Sequence, residues 1–320
     1  MTARFCIAEV GLPFAPGIDV AAVEEALESL LDLISACKDE GQEVCRSSAL
    51  ESQDITHGVS LAEYMYELGR LDRVLQGALQ QAINRCRHWD GDLEEPLNEE
   101  SSQVEIGGMH YAAPSVAWAH QQQRDRHAVA CLRIGPQLDG PQTVRVNERT
   151  TTLYFLSRCD ETQRCAFYRT IPSTEDLDEQ GYLAVAHLLF PSLHFKPGIE
   201  QEFRRFAGGY RAVRDEVTHH LAAVNDHFRR LFEQHGGQVE TVAKALQSIS
   251  GVVMSGESPG TKANRDAWKQ RKISIDKQEV ICELHLKLSP TKNRIHFHPG
   301  KPGIAGGKII IGIFHEHLTT

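Results

Sequence analysis

The sequence lacks the features that mark membrane, secreted or low-complexity proteins. None of its apolar runs approaches the roughly 18 residues that a membrane-spanning helix requires. The first residues, MTARFCIAEVGLPF, have neither the basic segment nor the apolar segment of a signal peptide. Hydrophobic residues make up 41% of the 320 positions, which is ordinary for a globular protein. We therefore expect a soluble, cytoplasmic protein of about two domains, with no membrane partner.

The sequence also lacks a CxxC motif, although it contains eight cysteines. They are scattered, and Cys159 and Cys165 are the one close pair. Such a distribution is typical of reduced, mostly buried thiols in an intracellular protein, and it favours neither a disulfide framework nor a cysteine-based metal site.

Charge is distributed unevenly along the chain. From residue 261 to residue 320 there are 11 lysines and arginines against 5 acidic residues, a net charge of +6. The first 260 residues carry a net charge of −15. The basic end is therefore expected to meet a polyanion, or the acidic part of its own chain.

Hydrophobic spacing predicts an α+β protein. Residues up to about 90 are predicted to be mainly helical, with one helix following an N-cap at Asp19 and another beginning at Ser60. Sheet and helices are predicted over 104–235, where the segments HAVACLRI, QTVRV, TTLYFLS and RCAFYRTI are typical of antiparallel strands. Glycine-rich segments that flank a short helix place the domain boundary after residue 237. This gives an acidic region over 1–237 and a small basic domain with an antiparallel sheet over 238–320.

The basic domain ends in three segments with strand-like alternation. VICELHLKL and RIHFH alternate apolar with ionisable residues, which predicts half-buried strands with one polar face. KIIIGIFHEHL is a more apolar strand that ends in His315 and His317. The connections SPTKN and PGKPGIAGG are too short for a crossover helix, so the three strands are predicted to be antiparallel, with Lys287 and Arg294 close together on the polar face.

These segments resemble the three-strand core of the RelE/HigB-type ribonuclease toxins. In that family a strand with a basic residue and a lysine is followed by a turn, an arginine-led strand and a lysine-led strand that ends in catalytic or RNA-contacting side chains. The resemblance covers about forty residues. It implies a RelE-like sheet, endoribonuclease activity and a catalytic set that is here His285, Lys287, Arg294, His315 and His317.

The same residue types suit metal-independent RNA cleavage. Attack by the 2′-hydroxyl of the RNA needs a base, an acid and cations that stabilise the charge on phosphorus, and histidine, lysine and arginine supply all three. Lys292, His296 and Lys308 are the predicted RNA-binding residues. The resemblance implies RNA as a partner, ribosome-bound RNA included, together with an antitoxin or another protein. It also implies a toxin–antitoxin or phage-defence setting, in which the acidic region regulates or targets the domain.

Two alternatives use the same residues. His296 and His298 form one His-x-His pair and His315 and His317 another, and this spacing on strands suits a zinc or iron site of a metal-dependent hydrolase. The other alternative is a non-catalytic interaction module with a basic sheet surface. The spatial arrangement of seven residues distinguishes these hypotheses: an open cleft supports catalysis, a chelating cluster supports metal binding, and dispersal supports the interaction module. The seven are His285, Lys287, Arg294, His296, His298, His315 and His317.

Overall fold

A computed structural model describes residues 4–10, 12–15, 17–66, 71–92, 102–135 and 138–319. The chain forms two compact units, Met1–Glu175 and Asp176–Thr320. Both mix helices with sheets. Among the described residues, no helix is both long enough and apolar enough to cross a membrane.

The first unit is built around an eight-stranded sheet with the strand order β5-β2-β1-β8-β10-β9-β6-β7, and β3 and β4 form a separate small hairpin. The five strands from β5 to β10 in this order are parallel, and the remaining three are antiparallel. The strands are β1 (Phe5–Ala8), β2 (Val44–Arg46), β3 (Asp54–Thr56), β4 (Val59–Ser60), β5 (Arg87–His88), β6 (Gln103–Ile106), β7 (Met109–Ala112), β8 (Ala130–Arg133), β9 (Gly140–Val146) and β10 (Arg149–Leu156). The helices are α1 (Val20–Asp39), α2 (Leu61–Tyr66), α3 (Arg73–Asn84), α4 (Pro114–Arg124), α5 (Glu161–Tyr168) and α6 (Ile171–Thr174).

The predicted helix after Asp19 is confirmed. The Asp19 side chain accepts a hydrogen bond from the main-chain N–H of Ala21 and so caps α1. The helix predicted from Ser60 is present as α2 and α3, and residues 67–70 between them lie outside the described part of the chain.

Three predictions for this unit are wrong. The first ninety residues also contain the strands β1, β2 and β5, which are too short to show alternation, and every residue of β1 is buried. The segment RCAFYRTI lies in α5 and α6, because the Asp160 side chain caps α5 and the helix buries Phe167 and Tyr168 against Phe5. The strand β8, predicted as antiparallel, is parallel to both of its neighbours.

The second unit contains a five-stranded sheet with the order β11-β17-β16-β15-β12 and a separate hairpin of β13 and β14. Its strands are β11 (Leu193–Phe195), β12 (Val253–Gly256), β13 (Lys272–Ile275), β14 (Gln278–Ile281), β15 (Leu284–Lys287), β16 (Arg294–His298) and β17 (Ile309–His315). Its helices are α7 (Glu179–Leu189), α8 (Gly209–Ala223), α9 (Arg229–Gln234), α10 (Val239–Ser250), α11 (Pro259–Ala263) and α12 (Arg265–Lys269). A π-helical segment, Val224–Phe228, joins α8 to α9.

The predicted antiparallel pairing of the last three strands is confirmed. β15 pairs with β16, and β16 pairs with β17, both in antiparallel orientation. Two details differ from the prediction. Val280 and Ile281 belong to the β13–β14 hairpin, so the strand predicted over VICELHLKL begins only at Leu284. The sheet is also mixed, because β11 adds to β17 in parallel.

One face of this sheet is apolar and packs on aromatic side chains from the preceding helical segments. Phe228 meets Phe297 edge-on with ring centroids 5.1 Å apart, and Phe203 lies 4.6 Å from Phe314. Alternation then directs the ionisable residues of β15 and β16 to the opposite face.

The division between the units lies at residue 175 and differs from the predicted boundary at 237. The reason is the pairing of β11 with β17 and the packing of the α8–α9 segment on the C-terminal sheet. The glycine-rich segments near 236 and 251 are therefore turns within the second unit. Their composition resembles that of a linker, but the helix α10 between them contacts β12 of the same sheet.

A buried carboxyl group lies just after β1 in the first unit. Glu9 accepts hydrogen bonds from the main-chain N–H and the hydroxyl of Ser115, and Trp89 donates to the same hydroxyl at 3.0 Å. Burial raises the pKa of Glu9 from about 4.5 to about 7. Because the folded state holds this proton more tightly than the unfolded state, Glu9 makes the protein less stable as the pH rises from about 4.5 through 7.

We expect Glu9→Gln to remove this pH dependence. Between pH 4.5 and pH 8, the free energy of unfolding of the variant should gain about 3 kcal/mol relative to the native protein. Urea unfolding at both pH values measures the difference, with Glu28→Gln on the exposed side of α1 as control. An unchanged gap at both pH values would show that Glu9 ionises normally.

We expect Phe297→Ala to destabilise the protein by about 4 kcal/mol, because it leaves a cavity opposite Phe228 in the core of the sheet. The matched control is Ile249→Ala on α10, since Ile249 is 51% exposed and should cost less than about 1 kcal/mol. Urea unfolding checks both variants. Equal losses would contradict the assignment of Phe297 to the core.

Candidate functional site

The polar face of β15, β16 and β17 carries its ionisable side chains in two neighbouring rows. Lys287, Arg294 and His315 are cross-strand partners and form the first row. The register thus brings together three of the five predicted catalytic residues, from positions far apart in the sequence. Lys287 and His315 are separated by two interstrand spacings, roughly 10 Å.

Arg294, in the middle of this row, is directed toward the preceding turn. Its guanidinium donates hydrogen bonds to the main-chain carbonyls of Ser289, Pro290, Lys292 and Asn293. The residue is buried, with 5% exposure. Most of its donors are therefore occupied, and the structure places Arg294 as a support of the turn rather than as an open phosphate ligand.

The second row lies one step along the strands, and within it His296 is buried whereas His285 is partly exposed. His285 and His296 are cross-strand partners with ring centroids 5.1 Å apart, and Ser255 on β12 is the next partner of His285. The Ser255 hydroxyl lies 3.0 Å from Nε2 of His285. The predicted catalytic residue His285 and the predicted RNA-binding residue His296 therefore belong to this second row, two residues along their strands from Lys287 and Arg294.

Glu257, just after β12, faces both histidines. Its Oε1 lies 3.7 Å from Nδ1 of His285 and 3.5 Å from Nδ1 of His296. The same oxygen accepts a 2.9 Å hydrogen bond from Nε of Arg271, which is almost fully buried. Among the described residues, Glu257, His285 and His296 are the one group of His, Cys, Asp and Glu that is spaced to hold a metal ion.

Both imidazoles of the second row are held in their neutral form. Burial, together with the nearby charges of Lys287, Arg294 and Arg271, lowers the pKa of His285 to about 4. Burial also lowers the pKa of His296 well below its usual value. Neutral imidazole is the form that binds metal ions.

His315 borders a cleft of about 610 Å³, in whose lining Glu202 pairs with Lys196 and Arg205. Its Nδ1 accepts the main-chain N–H of His317 at 3.1 Å, so the neutral ring carries its proton on Nε2. Burial and the charge of Arg205 lower the pKa of His315. The basic side chains that line the cleft are Lys196, Arg205, Lys272, His315 and His317.

Other predicted site residues are not gathered at this place. Lys292 lies in the turn before Arg294, whereas Lys308 precedes β17 at the opposite end of the strands. The two His-x-His pairs do not form one chelating set within the described chain: His298 Nδ1 accepts the main-chain N–H of Gly300, while His315 Nδ1 accepts that of His317.

Sequence reasoning missed Glu257, Ser255 and Arg271. The first two lie in the segment GVVMSGESPG, whose glycines suggested a linker although it forms β12. A second omission is a cavity of about 250 Å³ in the first unit, lined by Arg133, Gly135 and Ser157 where β8 and β10 end. Ligands of open parallel sheets bind at such strand ends, but the sequence did not reveal that half of this sheet is parallel.

We expect Arg294→Ala to lower the free energy of unfolding by about 2–3 kcal/mol, because several turn carbonyls lose a charged donor. Lys292→Ala in the same turn is the matched control and should cost less than about 0.5 kcal/mol, since its side chain is exposed. Urea unfolding of both variants tests this. If Arg294→Ala is as stable as the native protein, the arginine does not support the turn.

No family model, curated protein or solved structure matches the chain. Its function is therefore inferred from the arrangement of its side chains.

Proposed function

We propose that the second unit is an RNA endonuclease of the RelE/HigB type that acts at the row of Lys287, Arg294 and His315, of which Lys287 and His315 are accessible to solvent. The observation that carries this proposal is the cross-strand register, which aligns these three residues on one face. The neighbouring cleft contains further basic side chains, which could contact the RNA backbone if they exchange their carboxylate partners for phosphate.

Each residue of the row has a distinct part in this chemistry. The Lys287 ammonium supplies positive charge for the phosphate, and the Nε2–H of His315 donates a hydrogen bond to a phosphate oxygen. His317, which is exposed two residues further on, accepts the proton of the attacking 2′-hydroxyl. Arg294 fixes the turn and thereby the position of Lys287 and His315.

The reaction needs no metal ion at the row. The 2′-oxygen forms a bond to phosphorus, and the bond from phosphorus to the 5′-oxygen breaks. The proton of the 2′-hydroxyl passes to His317, and the departing 5′-oxygen takes a proton from water. The products are a 2′,3′-cyclic phosphate and a free 5′-hydroxyl.

The acidic first part of the chain has a regulatory or targeting role in this proposal. Its net charge of −15 over 260 residues repels RNA and attracts basic surfaces. RNA, ribosome-bound RNA included, is the substrate, and an antitoxin or another protein is a partner in a toxin–antitoxin or phage-defence setting. The cytoplasm is the compartment in which such a substrate is found.

We expect the full chain to cleave RNA, free or bound to translating ribosomes, in the presence of EDTA. Lys287→Ala should lower the rate by roughly 10²–10³-fold, as for loss of one charge-stabilising donor. His317→Ala should lower it by roughly 10²–10⁴-fold, the usual contribution of a proton-transfer group. End-group analysis should detect the cyclic phosphate.

Lys301→Ala is the control, because Lys301 is exposed in the loop at the other end of β16 and β17. Its cleavage rate should match that of the native chain. If the native chain cleaves no RNA with or without ribosomes, the proposal fails and the basic face is an interaction surface. If Lys301→Ala and Lys287→Ala lower the cleavage rate equally, cleavage does not occur at the row of Lys287, Arg294 and His315.

A further inference from the structure

Among the described residues, the second row of the polar face contains buried nitrogen atoms that have no hydrogen-bond partner. Within the described part of the chain, neither ring nitrogen of His296 has a hydrogen-bond partner, and the side chain is only 3% exposed. Nδ1 of His285 is also buried without a partner. Unpaired buried nitrogens are uncommon in folded proteins, and each one requires a physical reason.

These nitrogens face a carboxylate at a distance that a hydrogen bond does not explain. Glu257 Oε1 lies 3.7 Å from His285 Nδ1 and 3.5 Å from His296 Nδ1. Both separations exceed the range of good N–H···O hydrogen bonds. They are close to the roughly 3.3 Å that separates two ligand atoms bound at 2.0–2.1 Å in a tetrahedral zinc site.

Neighbouring groups fix the orientation of two of these side chains, His285 and Glu257. The Ser255 hydroxyl can accept the Nε2–H of His285, which leaves the lone pair of Nδ1 directed toward Glu257. Arg271 donates to Glu257 and to the main-chain carbonyls of Ala267 and Thr319, and so holds the carboxylate in place. Metal-binding histidines and carboxylates commonly have partners of this kind on their far side.

We propose that Glu257, His285 and His296 bind one divalent transition-metal ion, for which Zn²⁺ is the best match. Two imidazoles and one carboxylate are a ligand set that zinc accepts, and three protein ligands leave a position for water. Ser255 and Glu257 also line a cavity of about 490 Å³ beside the proposed ligands. The ion would connect β15 and β16 to the segment after β12, one row away from the proposed RNA site.

This site differs from the one that the His-x-His spacing predicted. Of those four histidines, only His296 is a proposed ligand, and the other two ligands are Glu257 and His285. The inference does not depend on RNA cleavage, because binding of the ion can be measured on protein with no substrate.

The test uses the full chain, made metal-free by dialysis against EDTA and then titrated with ZnCl₂. We expect one Zn²⁺ per chain by calorimetry and by elemental analysis after gel filtration, together with a higher melting temperature. His296→Gln and Glu257→Gln should each weaken binding by more than about 100-fold, since even loss of a supporting residue costs 10–100-fold. His298→Gln is the matched control on the same strand, and it should bind like the native chain.

Titration with Co²⁺ adds a readout that needs no variant. The native chain should show the visible absorption of a four- or five-coordinate ion without the intense bands of thiolate ligands, which separates this site from binding at a cysteine. Circular dichroism of each metal-free variant shows whether it is folded, and His285→Gln replaces any variant that is not.

Absence of Zn²⁺ binding by the native chain would overturn the proposal. Equal weakening by His298→Gln and His296→Gln would overturn it as well, as would thiolate bands in the Co²⁺ spectrum. RNA cleavage is expected to persist in EDTA, because metal binding and RNA cleavage are assigned to different rows of the sheet.

Discussion

The register of β15, β16 and β17 determines which side chains share a surface in the second unit. Because side chains alternate along a strand, a slip of one residue in any strand would send its ionisable residues into the core. The register is fixed from the apolar face, where Phe297 and Phe314 pack on Phe228 and Phe203. A bulge in β17 adjusts the alignment at Gly312, where an added Cβ would lie 2.3 Å from Cys282 Sγ. The polar face is thus a consequence of how the opposite face packs.

The two rows on the polar face differ in the groups that surround their histidines. Ile273 from the β13–β14 hairpin packs with Ile313 and Leu318. Arg271 donates a hydrogen bond to Glu257. Burial favours the neutral form of His285 and His296, and Arg271 pairs with Glu257 beside them. In the first row, Lys287 and His315 are partly exposed to solvent. The proposed metal binding at His285 and His296 and the proposed phosphate contact at His315 therefore rely on different surroundings on the same sheet.

The sequence was informative where one strong local pattern decides the structure. Alternation in HLK and RIHFH predicted the strands, the short connections predicted their antiparallel order, and Asp19 predicted the start of α1. The pairing of β11 with β17 joins residues more than one hundred positions apart, and no local pattern records it. Glu257 escaped notice because its neighbours are glycine, serine and proline, which form loops more often than strands. The direction of the Arg294 side chain depends on carbonyl groups of a turn, which carry no signal in the residue types.

The central claim is that RNA meets the second unit at the row of Lys287, Arg294 and His315. The most direct measurement is NMR titration of the isotope-labelled full chain with a 2′-O-methyl RNA oligonucleotide, which binds but cannot be cleaved through its 2′-hydroxyl. We expect the amide signals of Lys287, His315 and the residues around them to shift in a saturable, salt-dependent manner. Signals at the opposite end of the same strands, near His298 and Lys301, should remain in place. Shifts centred on that opposite end, or no saturable shift in the second unit, would contradict the account.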